Sequence, residues 1–405
     1  MSVAVVGGGA AGMAAAYAAA KSGAEVVLFE QNEKLGKKLF ISGKGRCNLT
    51  NDSPIDNHLK NVIDNPRFLY SAYHAFSPND LIVLIEGAGV PLKTERGDRV
   101  FPVSDKSSDI LSAWQRLLHK ENVTVRLNQK ILSVEKEGED FSLKTSDGVF
   151  QFDKVILTTG GFTYQATGST GDGYRFAERF GHTLIPLKPS LVGLKADLPI
   201  ELAGLSLKNV ALTVTAAGKK IYSDFGEMLF THTGVSGPII LSASAKINRL
   251  DLSEVRLILD LKPALPPEVL DQRLVRELAA GGNKLIKNIM PELLPKSLVP
   301  FLLSQAGIDP STPCHSVTKG DRSRLATALK SLTVLPKDFE EFNGAIVTAG
   351  GVSVREVDPK DMQSKLVKGL YFAGELLDVD ALTGGYNLQL AFSTGYLAGI
   401  SAANA

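Results

Sequence analysis

The sequence predicts an α/β protein with a Rossmann-like parallel sheet, and three features of its first thirty residues carry that prediction. Residues 3–6 form a short apolar run of the kind a strand buried on both faces requires, and it leads straight into Gly7-Gly8-Gly9-Ala10-Ala11-Gly12. Residues 10–21 are rich in alanine and free of proline, which favours a helix, and Gly23 stops it before a second apolar run at 25–29. Glu30 closes that run, eighteen residues beyond Gly12.

Each of these residues has a chemical reason. Gly7 permits a tight turn, Gly9 lets backbone approach a pyrophosphate, and Gly12 allows the helix to lie close on the strand, with Ala10 and Ala11 in the two variable places of Gly-x-Gly-x-x-Gly. The Glu30 carboxylate is placed to accept from ribose hydroxyls and to repel a 2′-phosphate. Strand, helix and acid are independent requirements, so together they separate a nucleotide site from an ordinary glycine-rich turn.

The remaining strand ends favour FAD over NAD. Gly87-Ala88-Gly89 lacks a third glycine and follows a helical stretch, so it reads as a helix C-cap before a strand at 90–93, and the chain shows no second nucleotide fingerprint. Residues 154–159 are strand-like and end in Thr158-Thr159-Gly160-Gly161, and residues 369–373 end in Gly374-Glu375. Ile131 follows a strand at 123–127 and is placed to meet adenine through its backbone. Ligands of open parallel sheets gather at such carboxyl ends, and several of them suit an extended dinucleotide.

Composition bounds the rest. With 405 residues, 44% hydrophobic and 21% charged, the chain is long enough for two or three domains, and a disordered or fibrous class is excluded. A net charge of +1 supplies no global field for nucleic acid, so no nucleic-acid partner is expected. Cys47 and Cys314 give neither a disulfide framework nor a zinc pattern, and no metal is expected. The first twenty residues lack a basic leader and are broken by glycines, and no uninterrupted apolar stretch reaches membrane-spanning length, so the expectation is a cytoplasmic protein without membrane partners. Oligomeric state is left open.

Residues 36–51 (GKKLFISGKGRCNLTN), with blocks at 97–102 (GDRVFP), 167–174 (TGSTGDGY), 230–238 (FTHTGVSGP), 348–352 (TAGGV) and 369–399, resemble in order and spacing the BaiN-like (YhiN-type) FAD-dependent oxidoreductases. The resemblance covers nearly the whole chain. It departs at Lys44, where glycine is expected, and at Asp98, beside Arg99. It implies a two-dinucleotide-binding-domain type of flavoprotein, with a discontinuous FAD domain (1–188 and 348–405), a β-barrel-like insertion (189–262 and 331–347) and a helical insertion (263–330). The residues agree with that layout: strand-like runs such as 210–215 and 255–260 give way, from 266, to helical periodicity broken by Gly281-Gly282, Pro291, Pro295 and Pro300.

Residues 42–48 make a loop holding the donors Ser42, Lys44, Arg46 and Asn48 for pyrophosphate or ribityl oxygens, Lys38, Gly43 and Gly45 are assigned to the cofactor beside them, and Cys47, with no second cysteine near it, is read as packing or flavin-adjacent. Gly374 and Glu375 are assigned by the resemblance to the ribityl or pyrophosphate side. Gly385, Tyr386, Asn387 and Leu388 open a helix expected over 388–403, whose positive end would face the flavin N1 locus. His232, Arg99 and Tyr386 are the candidates for proton donation or anion binding. The expected activity is hydride transfer between flavin N5 and a small organic substrate, with NADH or NADPH as transient donor. An FAD-dependent RNA-modifying enzyme and a flavin-binding regulatory protein without turnover are the alternatives.

Overall fold

In a computed structural model describing residues 1–405, Val3, Ala4 and Val5 have no exposed surface, because β1 (Ser2–Val6) is the middle strand of a five-stranded parallel sheet. On one side it pairs with β2 (Glu25–Phe29), which pairs with β3 (Thr124–Arg126). On the other it pairs with β4 (Lys154–Leu157), which pairs with β5 (Leu370–Phe372). The connections leave β1 in opposite directions, so the strand order reverses there and a crevice opens beyond the carboxyl ends of the strands.

Three helices of this unit meet where alanine and glycine are densest. They are α1 (Ala10–Lys21), α2 (Ser107–Lys120) and α3 (Tyr386–Asn404). A Cβ on Gly395 would lie 2.2 Å from the Ala11 carbonyl oxygen, and one on Gly399 would lie 2.3 Å from that of Ala15, so α1 and α3 touch backbone to backbone. Trp114 of α2 stacks on Phe392 of α3 at 5.1 Å and meets Tyr17 of α1 edge-on at 6.2 Å. The alanine run of α1 therefore serves close packing as well as helix propensity, and residues 11–19 are all buried.

Two element boundaries differ from expectation for local reasons. α3 starts at Tyr386, two residues early, because Gly385 adopts φ +100 as its N-cap. The strand expected at 90–93 forms at Leu92–Glu95, because residues 88–90 finish the preceding helix, Pro78–Gly87: Gly89 is left-handed at φ +84 and the Val90 N–H reaches back to the Ile85 carbonyl.

The chain divides into two compact units, Met1–Ser190 with Phe342–Ala405, and Leu191–Glu341. The second unit is built on one seven-stranded antiparallel sheet around the long hairpin Ser206–Ala216 and Lys219–Phe230. Leu257 and Leu259 of the sheet and Leu274, Leu302 and Leu329 of its helices belong to one buried cluster, so the β-rich and helical segments share a core. Leu332–Val334 and Asp338–Phe339 join this sheet, whereas Val347–Val352 pairs with Leu184–Ser190 in the first unit. No helix is long and apolar enough to cross a membrane.

Gly395→Val should force α1 and α3 apart and cost about 3 kcal/mol in urea unfolding, whereas Gly87→Ala, at a helix end with no atom within 4 Å of the added Cβ, should be neutral or mildly stabilising. Equal effects from the two substitutions would mean that the helix contact is not tight.

Candidate dinucleotide site

The carboxyl ends of β1, β2 and β4 open onto a cleft of about 1370 Å³, counting its space open to solvent. Gly7, Gly9, Ala10 and Ala11 line its floor, with Glu30 and Ile131 to one side and Thr159, Gly160 and Glu375 further along. The floor is open backbone. Gly7 sits at φ +105 where a Cβ would be 2.6 Å from the Thr158 carbonyl oxygen, a Cβ on Gly9 would meet no atom within 4 Å, and one on Gly12 would strike the Gly7 carbonyl oxygen at 1.8 Å. α1 begins with no side-chain cap and no acid in its first turn, so its leading N–H groups and positive dipole end are left for an anion.

The charges in the cleft are individually arranged. Glu30 Oε2 accepts from the Gly8 N–H (2.8 Å), and Oε1 accepts from the Asn32 backbone N–H (2.9 Å) and amide (2.7 Å), which fixes the carboxylate and leaves lone pairs for hydroxyl donors. Glu375 Oε1 accepts from the Thr348 N–H (2.9 Å) and the Thr163 hydroxyl (3.2 Å), and Oε2 pairs with Lys38 Nζ at 2.6 Å. Gly161 makes room for that carboxylate, since a Cβ there would lie 2.6 Å from Glu375 Oε1. Asp172 is likewise paired, with Lys130 at 2.8 Å. An entering diphosphate would therefore meet Glu375 and Asp172 already paired with lysines, while Glu30 is held by neutral N–H donors.

Part of the predicted loop turns away from the cleft. Ser42 lines it, but the Arg46 guanidinium is held by Glu95 and by Asp105 (2.6 Å) and stacks 4.2 Å over Phe101. Arg46 is thereby corrected from a pyrophosphate donor to a clamp on the loop, because two carboxylates already occupy its donor fork. Of the two readings of Cys47, packing is the one its fully buried side chain fits, and burial pushes the thiol up to about 12. Gly43 and Gly45 have positive φ, as do Lys44 (φ +58) and Asp98 (φ +57), the two positions where the sequence departs from glycine. Asn48, with its amide nitrogen toward the Thr50 carbonyl (3.2 Å), accepts from the Gly385 N–H (3.0 Å) and ties the loop to the start of α3.

At that start, Gly385 packs against Thr50 backbone, where a Cβ would be 2.4 Å from the carbonyl oxygen. Asn387 and Leu388 line the cleft, but the Asn387 amide is engaged by its own loop, accepting from the Ala381 N–H (2.9 Å) and donating to its carbonyl (2.7 Å), which leaves backbone for a ligand. Gly374 is the close-approach point against the Ala11 side chain, 2.8 Å from an added Cβ. Tyr386 is mostly buried, edge-on to buried His58 at 5.0 Å, with its hydroxyl accepting from Asn57 at 3.2 Å, and burial raises its phenol. Arg99 is exposed and uses Nε on the Arg96 carbonyl, leaving its terminal nitrogens free. His232 stands exposed on a turn of the second unit.

Sequence reading missed Gln31, Lys130, Thr170, Asp172 and Val379, all of which line the cleft. Thr170 and Asp172 lie inside the 167–174 block, so a signal was present; Lys130 and Val379 carry none beyond adjacency to better motifs.

A parallel sheet whose strand ends, uncapped helix and paired acids form one dinucleotide cleft defines a flavoprotein oxidoreductase, and the residues present fit FAD. The chain belongs to the family described as HI0933-like protein Rossmann domain, which matches residues 1–401. It is 32% identical to a 3-dehydro-bile acid delta(4,6)-reductase of Clostridium scindens, over 99% of this chain and 98% of that one. It is equally 32% identical to a ribosomal RNA dihydrouridine synthase of Escherichia coli, over 97% and 95% of the two chains. Among solved structures, the 3-ketosteroid delta1-dehydrogenase from Sterolibacterium denitrificans shares the fold at TM-score 0.54 and 15% identity, covering 99% of each chain.

Lys44→Gly should stabilise the protein by about 1 kcal/mol by removing a left-handed non-glycine residue; no gain in the unfolding midpoint would show that Lys44 makes a compensating contact. Neither Cys47 nor Cys314 should react with a thiol reagent at mildly alkaline pH in the folded protein, and both should react in denaturant. Modification of Cys47 in the native state would return it to the accessible surface.

Proposed function

We propose that this protein is an FAD-dependent reductase of a carbon–carbon double bond conjugated to a carbonyl group. The observation that carries the reading is that full-length relatives named for unlike substrates share one bond change. A delta(4,6)-reductase acting on a 3-dehydro bile acid saturates alkenes conjugated to a ketone. Dihydrouridine is uridine whose ring alkene, conjugated to a carbonyl, has been saturated.

FAD, once bound and reduced by its electron donor, would supply a hydride from N5. The chain must then hold the cofactor, donate to the substrate carbonyl and deliver a proton to the neighbouring carbon. Gly7, Gly9 and the first N–H groups of α1 suit the pyrophosphate, Glu30 the ribose, Ile131 the adenine, and Lys38 with Glu375 the ribityl side. Tyr386 is the proton-donor candidate: it directly precedes cleft-lining Asn387 and Leu388, a tyrosine phenol carries its proton at neutral pH, and Asn57 donates to its hydroxyl and fixes it. Arg99, with free terminal nitrogens, suits a carbonyl or anionic substituent. A nicotinamide donor would visit the same flavin transiently, since the sequence carries one nucleotide fingerprint.

The substrate divides into two classes, a steroid-like enone and a uracil ring in RNA. The second is favoured by two relatives, the Escherichia coli protein and a Haemophilus influenzae ribosomal RNA dihydrouridine synthase at 31% identity. Anaerobic titration with NADH and then NADPH, followed by mixing the bleached protein with a 3-oxo-4-ene steroid or with unmodified ribosomal RNA, separates them. The expected result is reoxidation by one of the two, with Tyr386→Phe slowing that half-reaction by about 100-fold while leaving reduction unchanged. Reoxidation by oxygen alone would sink the reading and favour a flavin protein without this turnover.

A further inference from the structure

The second unit contains a concavity of about 590 Å³, counting its opening, made entirely from residues of that unit. Leu207, Val210, Leu261 and Leu294 form its apolar walls, and Lys208 and Lys262 are its charged residues. No carboxylate lines it.

A break in a strand shapes one side. In the Ser206–Ala216 strand, Leu207 faces Met228 and Val210 faces Gly226, so two residues, Lys208 and Asn209, stand opposite the single Glu227. Asn209 takes φ +55 to do this. The bulge turns both Leu207 and Val210 into the core and leaves Lys208 and Asn209 at the surface, which strict alternation would not allow. Strained backbone of this kind persists where its surroundings hold it and re-aims a side chain at its rim.

The other side carries a cation without a counter-charge. Lys262 is partly buried, and its ammonium makes no hydrogen bond or ion pair with the protein. The acid that could have served it, Asp260, is engaged by Lys330 at 2.6 Å and by the Lys262 backbone N–H at 2.9 Å. Burial first, and then the like charge of Arg273, push the Lys262 ammonium below the usual range. Arg273 already has a carboxylate, Glu277 at 3.6 Å, so it is the partly buried Lys262 ammonium that an anion would serve. A compact oxyanion such as phosphate accepts from several ammonium donors as point charges, which suits the two lysines of this concavity.

We propose that Lys262 and Lys208, the latter on the Ser206–Ala216 bulge, form with the apolar walls around them a binding site for a phosphate-class oxyanion, distinct from the dinucleotide cleft. The phosphate is either free or part of an RNA backbone, and the two sources are separable. Full-length, FAD-loaded wild-type protein, Lys262→Met and Lys262→Arg would be compared in two arms, with unchanged flavin content as the check of fold. In the first, thermal unfolding is followed in inorganic phosphate against chloride of equal ionic strength. In the second, anisotropy of a labelled RNA hairpin is followed across a salt series.

For free phosphate, the midpoint rises in wild type and K262R but not in K262M, and RNA binding is the same in all three. For an RNA backbone, K262M weakens RNA binding several-fold and lowers the salt slope by about 1, with K262R restoring both. K262M matching wild type in both arms overturns the site. Should K262M lose its flavin, Lys208→Met carries the same expectation. Because neither arm measures turnover, the outcome stands apart from whether a conjugated double bond is the substrate.

Discussion

The structure depends on how closely α1 can lie against its neighbours. A Cβ on Gly12 would overlap the Gly7 carbonyl oxygen, and the glycines of α3 bring that helix onto α1 backbone at Ala11 and Ala15. Only with both contacts in place do the α1 and α3 N-termini open onto one cleft, at Gly9 to Ala11 and at Asn387 to Leu388. Small residues are the physical condition for this, because side-chain bulk would separate backbones that must nearly touch. The alanine-rich start of the chain and the glycines of its last helix are thus two halves of one packing solution.

Charge is balanced within the same cleft. A dinucleotide brings negative charge into a space that already holds Glu30, Asp172 and Glu375. Glu375 is neutralised by Lys38, Asp172 by Lys130, and Glu30 is held by the Gly8 and Asn32 N–H groups. In a site of reduced dielectric an unpaired carboxylate would oppose a diphosphate strongly, whereas a paired one can still accept from hydroxyls. The ionic cluster of Arg46, Glu95, Asp105 and Lys93 does different work: it pins a loop of left-handed residues whose backbone would otherwise sample many other conformations.

Common chemistry across unlike substrates fits this division of labour. The cleft suited to a dinucleotide is lined by residues of the first unit, while the second unit has its own core and its own bulge. The fold fixes where a dinucleotide lies, and the reaction is decided by the side chains placed around it.

What the sequence determined by itself was local. The turn after β1, the α1 helix, Glu30 at the end of β2, and the strand ends at Thr159-Gly160 and Gly374-Glu375 were all legible, because strand period, helix propensity and turn stereochemistry act over a few residues. Tertiary structure decided the partners. Arg46 found Glu95 and Asp105, 49 and 59 residues away, Lys38 found Glu375 at a separation of 337, and Cys47 turned inward. The same holds for the β-rich and helical segments, which share one core. A side chain's partner is set by which distant backbone its fold brings within hydrogen-bonding range, and no spacing along the chain encodes that distance.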